Sequence, residues 1–408
     1  MLSGVLVNVY MAIVARSLSA AEYGYFGAFW SLALVAGYGV FLPVEQEAAR
    51  LLQTPGRPGR VLRATLMTAA GMAAAQLVLI ALGSSLLARI FGGHAITVVA
   101  LGALCLISAG QFVVRGALVG LDRMDGHAVV MLWDTILRVG FAVAVAALVA
   151  QPGSSDFAWT LVAAIAVAHG PVLYALATRR IKPGRVPALG SEVIGKRAVA
   201  TAVAPLLLGS LCAQLLLNGP PVLVPALAEG QADATRAGQF LAAFTLTRIP
   251  LFLVVPLQSA LLPMLTGLMH NTRPGPLRLA ITKLSAGLLL LAAAGTVLGY
   301  TLGPATVSLV FGPRYVLPGS DLALLALGVT VYVGLVVVTQ ALVASARHRQ
   351  VAWSWLGGVT VAAVVVFLVP DLLLRAELAF LAGSTAAWLL GTLMLLSKRH
   401  DRESQNVA

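Results

Sequence analysis

Charged residues are scarce in this chain. Only 10% of its 408 residues are Asp, Glu, Lys or Arg, whereas 59% are hydrophobic, and the mean hydropathy is +0.93. A soluble protein of this length needs much more polar surface to cover its core. The composition therefore excludes a soluble enzyme or a soluble binding module, and it indicates that lipid is the solvent for most of the chain.

Cysteine and metal-binding patterns are also nearly absent. The two cysteines, Cys105 and Cys212, lie far apart in apolar stretches, so neither a disulfide framework nor a thiolate metal site is predicted. The six histidines lack the spacing of a metal site. Residues 190–196 approach a phosphate-binding P-loop, but Arg197 stands where that motif needs Ser or Thr. We therefore expect no metal, no other cofactor and no ATP bound to this chain.

Hydrophobic runs recur along nearly the whole sequence. A helix of about 20 apolar residues crosses the hydrocarbon core of a bilayer, which is roughly 30 Å thick. The sequence therefore predicts an all-α, polytopic membrane protein with about twelve transmembrane helices and no soluble domain. The predicted spans are residues 1–15, 25–42, 64–88, 95–114, 128–150, 157–177, 198–217, 238–262, 279–302, 322–344, 351–369 and 378–396.

Positive charge is distributed unevenly between the predicted loops. If both termini are cytoplasmic, 20 of the 27 Lys and Arg residues, Arg115 among them, fall in inside segments and 5 fall in outside loops. Basic loops are retained in the cytoplasm, so this split predicts a multi-pass protein of the bacterial plasma (inner) membrane with both termini cytoplasmic. The net charge of +12 is then a topology signal, and nucleic acid is not an expected partner.

The two halves of the chain resemble each other. Short similarities recur in the same order at equivalent predicted helix ends, which indicates two pseudo-symmetric six-helix lobes related by an axis along the membrane normal. We predict an N-terminal lobe (1–177), a cytoplasmic linker (178–197), a C-terminal lobe (198–396) and a cytoplasmic tail (397–408). The matched pairs are Gly24-Tyr-Phe26 with Gly238-Gln-Phe240, Leu42-Pro43 with Val255-Pro256, Phe91-Gly92 with Phe311-Gly312, and Ala117-Leu118 with Ala341-Leu342.

One arginine lies deep in a predicted span. Arg248 is ten residues into the eighth span, and Pro250 and Pro256 nearby interrupt the backbone hydrogen bonds of that helix. A charge at the bilayer centre costs about 2.5–3.5 kcal/mol on insertion scales, so this guanidinium should face a hydrated cavity, free carbonyls or an anionic ligand. We interpret Arg248 as a binding residue for an anionic head group, with a structural role at helix ends as the alternative. Arg16 and Arg50 are weaker candidates for the same role.

Two charged residues occupy one face of the fifth span. Asp134 and Arg138 are four residues apart, the spacing at which opposite charges pair on a helix. Their simplest role is a self-neutralising structural pair. The alternative is that Asp134 takes part in ion coupling as a proton or cation site.

Uncharged and acidic polar residues near helix ends are candidates for a cavity or its gate. Glu45 and Gln46 close the second span, and Gln258 occupies the matching place in the eighth. They are also compatible with a solvated helix end. Gln214 and Asn218, four residues apart in the seventh span, either line the cavity or join neighbouring helices.

Three segments carry a recognisable pattern: residues 14–24 (VARSLSAAEYG), 41–50 (FLPVEQEAAR) and 311–315 (FGPRY). They resemble the polysaccharide biosynthesis flippases, including O-antigen flippases, of the multidrug/oligosaccharidyl-lipid/polysaccharide (MOP) exporter superfamily. The resemblance implies a MATE-like fold and no enzymatic activity. It also implies a flippase that moves a polyprenyl-diphosphate-linked oligosaccharide to the outer leaflet, with membrane lipid and polysaccharide assembly proteins as further partners.

Two other functions are weighed against this one. A cation-coupled multidrug exporter of the same superfamily would favour a cavity lined by carboxylates, whereas the predicted C-terminal spans contain Arg248 and no acid. A membrane-embedded polysaccharide polymerase would be expected to carry catalytic residues on a large external loop. The longest predicted outside loop, residues 218–237, is short and nearly free of basic residues.

Overall fold

The computed structural model describes residues 2–53, 58–178, 196–251, 274–345 and 347–405, and every regular element in these ranges is helical. Eight of the helices are long and apolar enough to cross a membrane, or ten if each of two bent helix pairs is one span. Two other predicted spans have shorter counterparts. Residues 1–15 match a short apolar helix, Ser3–Ser17, and residues 238–262 match the helix Gln231–Thr247, whose predicted continuation lies outside the described ranges. The predicted fold class, an all-α polytopic membrane protein, is confirmed.

The chain divides into two compact units, here called the first unit (Leu2–Gly238) and the second unit (Gln239–Ala408). In the first unit a short π-helix, Val35–Gly39, joins two α-helices into one long element, Ala20–Gln53. The α-helices of the first unit are α1 (Leu2–Ser17), α2 (Ala20–Leu34), α3 (Val40–Gln53), α4 (Pro58–Leu82), α5 (Ser84–Ile90), α6 (Ala95–Gly120), α7 (Met124–Leu148), α8 (Ser154–Ala177), α9 (Lys196–Asn218) and α10 (Pro220–Leu227).

The second unit follows the end of the first within a single helix, α11 (Gln231–Thr247). Residues 179–195, most of the predicted linker, lie outside the described residues, and the predicted lobe boundaries stay a prediction. The remaining helices are α12 (Pro274–Thr301), α13 (Gly303–Val310), α14 (Gly319–Ala344), α15 (His348–Leu368) and α16 (Leu372–Gln405).

The helices pack in the same order within each unit. In the first unit, α6 lies against α4 and α8, and α7 packs on α8. In the second unit, α14 lies against α12 and α16, and α15 packs on α16. The internal similarity in the sequence therefore has a counterpart in how each half is built.

The matched Phe-Gly pairs end equivalent short helices. Each of α5 and α13 follows a long helix after a one-residue break and is succeeded by a buried phenylalanine, Phe91 or Phe311. The next residues, Gly92 and Gly312, have φ values of +68° and +118°, which glycine adopts without the steric cost of a side chain. The positive φ explains why a glycine follows the phenylalanine in both halves.

The last matched pair of segments also has a structural counterpart. The backbone N–H of Arg123 donates to the Leu118 carbonyl at 2.8 Å, and that of Arg347 donates to the Leu342 carbonyl at 2.9 Å. Each arginine then stands at the N-cap position of the next helix, α7 or α15. The two halves thus turn between these helices in the same way.

Aromatic rings fill one part of the core of the first unit. The rings of Tyr10, Phe26 and Trp30 have centroids 5.6 to 6.2 Å apart, and Phe157 meets Phe26 edge-on at 6.4 Å. The Tyr10 hydroxyl donates to the Phe157 carbonyl at 3.1 Å. Lipid tails are as apolar as these side chains, so close packing and hydrogen bonding hold the helices together here rather than exclusion of water.

Two predicted spans are each divided into two helices, and one segment predicted as a loop is largely helical. Residues 64–88 are predicted as one helix, but α4 ends at Leu82 and α5 begins at Ser84. The ninth span bends by 65° between α12 and α13, where Pro304 can begin a helix but cannot continue one. Residues 218–237 contain α10 and the start of α11, because Pro220 and Pro221 initiate a new helix after a 58° bend.

The position of Arg115 also corrects the charge count, which treated it as an inside loop residue. Helix α6 continues to Gly120, and Arg115 lies within it with 7% of its surface exposed. The charge of Arg115 within α6 is neutralised by Glu45, whose Oε2 lies 3.0 Å from Arg115 Nε. Without Arg115 the predicted inside segments still hold 19 basic residues against 5 outside.

We expect Gly358→Ala to destabilise the second unit by about 1–3 kcal/mol, because overpacking a close contact forces backbones apart. A Cβ atom at Gly358 in α15 would lie 2.7 Å from the carbonyl oxygen of Gly383 in α16. Thermal unfolding of the purified protein measures the change. Gly287→Ala in α12 is the control, since a Cβ there meets nothing within 4 Å, and equal losses in both variants would contradict the packing argument.

Candidate functional site

The π-helix places polar groups inside the membrane-spanning part of the first unit. Its wider turn leaves carbonyl groups without their regular helical partners, and side chains from other helices bond to them. Gln76 donates from Nε2 to the Ala36 carbonyl, and Ser210 donates from Oγ to the Tyr38 carbonyl, both at 3.0 Å. The π-helix is therefore held from two sides, by α4 and by α9.

An ion pair lies directly beyond the π-helix. The Arg115 guanidinium contacts the Glu45 carboxylate at 3.0 and 3.2 Å and donates to the Tyr38 hydroxyl at 3.1 Å. It also stacks over the ring of Phe112, 4.7 Å from the centroid. Both charged side chains are largely buried, at 9% and 13% exposure. Glu45, predicted to line or gate a cavity, is thus bound to a residue that the sequence did not single out.

The predicted partners on α7 form a second ion pair. Arg138 donates from Nε and Nη2 to the two carboxylate oxygens of Asp134, the first at 3.1 Å. Asp134 is 2% exposed and Arg138 14%, and the guanidinium lies 6.0 Å from the centroid of the Trp30 ring. The structure contains the self-neutralising pair, while a role in ion coupling stays a prediction.

A small cavity of about 30 Å³ adjoins this pair. Its polar lining includes Arg138, Ser108 and Gln111, and its apolar lining includes Trp30. A water molecule needs about 10–15 Å³ of such space, so the cavity has room for about two. The first unit therefore contains a cavity large enough for water next to a buried charge.

His169 is a further buried polar group near these charges. Its Nδ1 donates to the Ile165 carbonyl at 3.1 Å, and its Nε2 has no hydrogen-bond partner among the described residues. The ring interacts electrostatically with Asp134, Arg138 and Arg115. Sequence reasoning did not single out His169, because a lone histidine in an apolar helix gives no spacing signal.

Arg248 lies where the eighth predicted span loses its helical form. Helix α11 ends at Thr247, residues 248–250 form a turn, and Pro250 accounts for the break because the residue before a proline avoids the helical conformation. The guanidinium of Arg248 stacks over the ring of Phe244 at 5.0 Å and lies within electrostatic range of Tyr332. The side chain is partly buried, and its position past the C-terminus of α11 also suits a cation.

The other predicted site residues are more scattered. Arg16 is exposed in the last turn of α1, and Gln46 is exposed on α3. Arg50 is 62% exposed, and its guanidinium donates to both carboxylate oxygens of Glu47, at 2.7 and 2.8 Å. Gln258 lies outside the described residues.

Gln214 and Asn218 bond to each other within α9. The Asn218 side-chain amide donates to Gln214 Oε1 at 2.7 Å, as their four-residue spacing allows. Gln214 also lies beside the π-helix, since a Cβ atom at Gly39 would be 3.5 Å from the Gln214 Cβ. Of the two roles predicted for them, this contact fits the joining of helices.

We expect Glu45→Ala to destabilise the protein by about 3 kcal/mol, because it leaves the buried Arg115 guanidinium without its carboxylate. Gln46→Ala is the matched control, since this neighbouring side chain is exposed, and its effect should stay within about 0.5 kcal/mol. Chemical or thermal unfolding of both purified variants measures the difference. Similar losses would show that the ion pair adds nothing to the fold.

Comparisons with known proteins agree with the architecture. The inward-facing conformation of a multidrug resistance MATE family transporter of the MOP superfamily superposes with a TM-score of 0.74 at 15% identity, covering 97% of this chain and 96% of the other. An outward-facing conformation of a MATE transporter gives 0.58 at 14% identity, covering 99% and 94%. A MOP superfamily transporter from Pyrococcus furiosus, described by a reverse polarity of its binding pocket, gives 0.50 at 14% identity, covering 97% and 95%. The chain has the MATE transporter fold.

Sequence comparison identifies two relatives, both described as uncharacterized proteins. No protein-family model matches the sequence. The uncharacterized protein Rv1510 of Mycobacterium tuberculosis (strain ATCC 25618 / H37Rv) is 30% identical over 388 residues, which cover 92% of this chain and 84% of the relative. The uncharacterized protein MT1558/MT1560 of strain CDC 1551 / Oshkosh matches equally. This chain is a multi-pass membrane protein, and it belongs to the same family as Rv1510.

Proposed function

We propose that this chain is a flippase that carries a polyprenyl-diphosphate-linked oligosaccharide from the inner to the outer leaflet of a bacterial plasma membrane by alternating access. One observation carries the proposal: the eighth predicted span is interrupted at Arg248. Irregular backbone at membrane depth is tolerated where it is buried in protein or lines a hydrated cavity, and transporters commonly bind substrate at such discontinuous helices.

The chemistry of Arg248 suits a diphosphate cargo. A diphosphate is the part of this cargo that is hardest to move through lipid, and a guanidinium binds phosphate oxygens through two parallel hydrogen bonds. The Phe244 ring packs against one face of the guanidinium, with 5.0 Å between Cζ and the ring centroid, and so orients this cation. The lipid tail of the cargo stays in the bilayer, so only the head group and the sugar need a hydrated route.

A cation-coupled multidrug exporter is the second candidate. Two largely buried carboxylates, Asp134 and Glu45, favour it, because a cationic drug needs such groups. Each is bound by an arginine, however, so a drug would have to displace a guanidinium. The reverse-polarity transporter from Pyrococcus furiosus illustrates that pocket charge is not fixed within this superfamily.

The cargo is tested with purified protein in liposomes. Fluorescent polyprenyl-diphosphate oligosaccharide is placed in both leaflets, and the fraction that becomes accessible to an external sugar-cleaving enzyme is measured. We expect protein-dependent movement of this lipid and no efflux of a cationic dye. Dye efflux driven by a Na+ or H+ gradient without lipid movement would establish the multidrug function instead.

The orientation is tested with reporter fusions. A reporter that is active only in the periplasm should be inactive after Ala408 and active when inserted in the loop before Ser154, since basic segments stay inside. Cytoplasm-specific reporters at the same positions are the control. Periplasmic activity at Ala408 would contradict the predicted topology.

A further inference from the structure

One carboxylate connects the starts of three helices in the first unit. Glu22, in the first turn of α2, accepts a hydrogen bond from the Ser154 backbone N–H at the start of α8, with 2.7 Å to Oε2. Its other oxygen, Oε1, lies 3.1 Å from Nε2 of His94, the N-cap residue of α6. Ser19 caps α2 itself by accepting from the Glu22 backbone N–H at 3.3 Å. A single acid thus lies among the positive ends of three helix dipoles.

The same turn of α2 holds the loop between α5 and α6. The Tyr25 ring lies so close to Gly92 that a Cβ atom there would be 2.4 Å from the ring, and Gly92 has a φ of +68°. The ring also contacts His94 edge-on, with centroids 6.4 Å apart. Glu22 and Tyr25 therefore attach one face of α2 to its own neighbours by polar and aromatic contacts.

The opposite face of this turn contacts the last residues of the first unit through backbone atoms and the methyl group of Ala237. A Cβ atom at Gly24 would be 2.9 Å from the Gly238 nitrogen and 3.0 Å from the Ala237 Cβ. A Cβ atom at Gly238 would be only 1.8 Å from the Ala20 carbonyl oxygen. Gly24 and Gly238 are also the residues matched by the internal repeat.

We propose that this crossing of α2 with the start of α11 is the closed state of a gate at the predicted outer end, and that Glu22 is the residue that positions its α2 side. The loops before α2, α6 and α8 are those that the charge count places outside. One face of the turn is fixed by Glu22, while the glycine face has no interlocking side chains and can separate without changing rotamers. The proposal rests on transport by alternating access and is independent of the cargo.

The proposal gives a function to the N-terminal pattern. In residues 14–24, Ser19 caps α2, Glu22 ties the helix to α6 and α8, and Gly24 allows the close crossing. None of these residues lines the cavity or belongs to the two ion pairs described above. The pattern is explained by the gate rather than by cargo recognition.

The test uses a disulfide across the crossing. Ala20→Cys and Ala237→Cys, which flank the crossing and add no Cβ atom to either glycine, are introduced together in a chain whose Cys105 and Cys212 are replaced by alanine, with a protease site within residues 179–195. After mild oxidation of membranes and cleavage, the two fragments should remain joined. Surface glycan export should stop on oxidation and return with a reductant. If the joined protein exports at the full rate, the crossing does not need to open and the gate is refuted.

The role of Glu22 is tested in the same background. Glu22→Gln removes the charge from two hydrogen bonds, so we expect the disulfide to form about tenfold more slowly. Asp156→Asn is the matched control, because this acid caps only its own helix, accepting from the Gly153 N–H at 2.8 Å. Equal rates in both variants would remove Glu22 from the gate.

Two glycine variants test the close crossing without introduced cysteines. Gly238→Ala should prevent closure and impair export, whereas Gly209→Ala, where a Cβ meets nothing within 4 Å, should export normally. Normal export by Gly238→Ala would refute the close crossing. If the liposomes show gradient-driven dye efflux but no lipid movement, and oxidation of the cysteine pair stops that efflux, the flippase is rejected and the gate is retained.

Discussion

Replacement of Arg248 by alanine is expected to abolish export of the surface glycan without reducing the amount of inserted protein. The side chain binds the diphosphate in the proposed function, and truncating one partner of a hydrogen-bonded charge pair costs about 2–5 kcal/mol. That loss lowers binding by at least about thirtyfold. Arg248→Lys should retain part of the activity, since the charge remains while the planar pair of donors is lost.

The measurement is glycan accumulation in cells that carry each variant as their only copy. Arg63→Ala is the matched control, because Arg63 is an exposed arginine in α4 and its removal should leave export unchanged. Protein amounts are compared by immunoblotting of membranes. Full export by Arg248→Ala at normal expression would remove the main support for an anionic cargo and favour the multidrug function.

The second large effect is expected at the ion pair on α7. Asp134→Ala leaves the Arg138 guanidinium, which is 14% exposed, without its carboxylate, and breaking a buried pair from one side costs about 3–5 kcal/mol. For a protein of this size the melting temperature should fall by roughly 4–6 °C. Thermal unfolding of the purified protein measures this.

The double variant separates charge from packing. Asp134→Leu with Arg138→Met replaces both charges by apolar groups of similar length, and buried pairs replaced in this way often lose little stability. We expect the double variant to recover most of the loss. If the double variant is well folded but transports nothing, the pair serves ion coupling. If Asp134→Ala alone is fully stable, the pair is not structural.

The sequence predicted the features that depend on local spacing. Hydrophobic run length located the helices, and a four-residue separation anticipated the Asp134–Arg138 pair. The repeated Phe-Gly and Ala-Leu segments pointed to turns that the structure places at equivalent helix ends. Each of these signals lies within one continuous stretch of sequence, even where the stretch recurs in the other half.

The features that the sequence did not predict depend mainly on contacts between segments that are far apart along the chain. Arg115 was taken for a loop residue because nothing in its own stretch neutralises it, and its partner Glu45 is 70 positions away. Glu22, His94 and Ser154 come from three separate helix starts. The helix breaks at Gly83 and Leu302 escaped prediction because apolar residues continue on both sides of each break, so that each pair of helices was taken as one run.

The π-helix Val35–Gly39 has a consequence for comparing this protein with its relatives. A π-turn is an extra residue accommodated in a helix, and it rotates everything after it by about 100° about the helix axis. A relative without it would align to this chain with a one-residue gap inside an uninterrupted transmembrane helix. An alignment without that gap would assign the partner of Arg115 to the exposed neighbour Gln46 instead of Glu45. Deleting Gly37 alone should therefore turn Glu45 away from Arg115 while keeping the helix and its hydrophobicity intact.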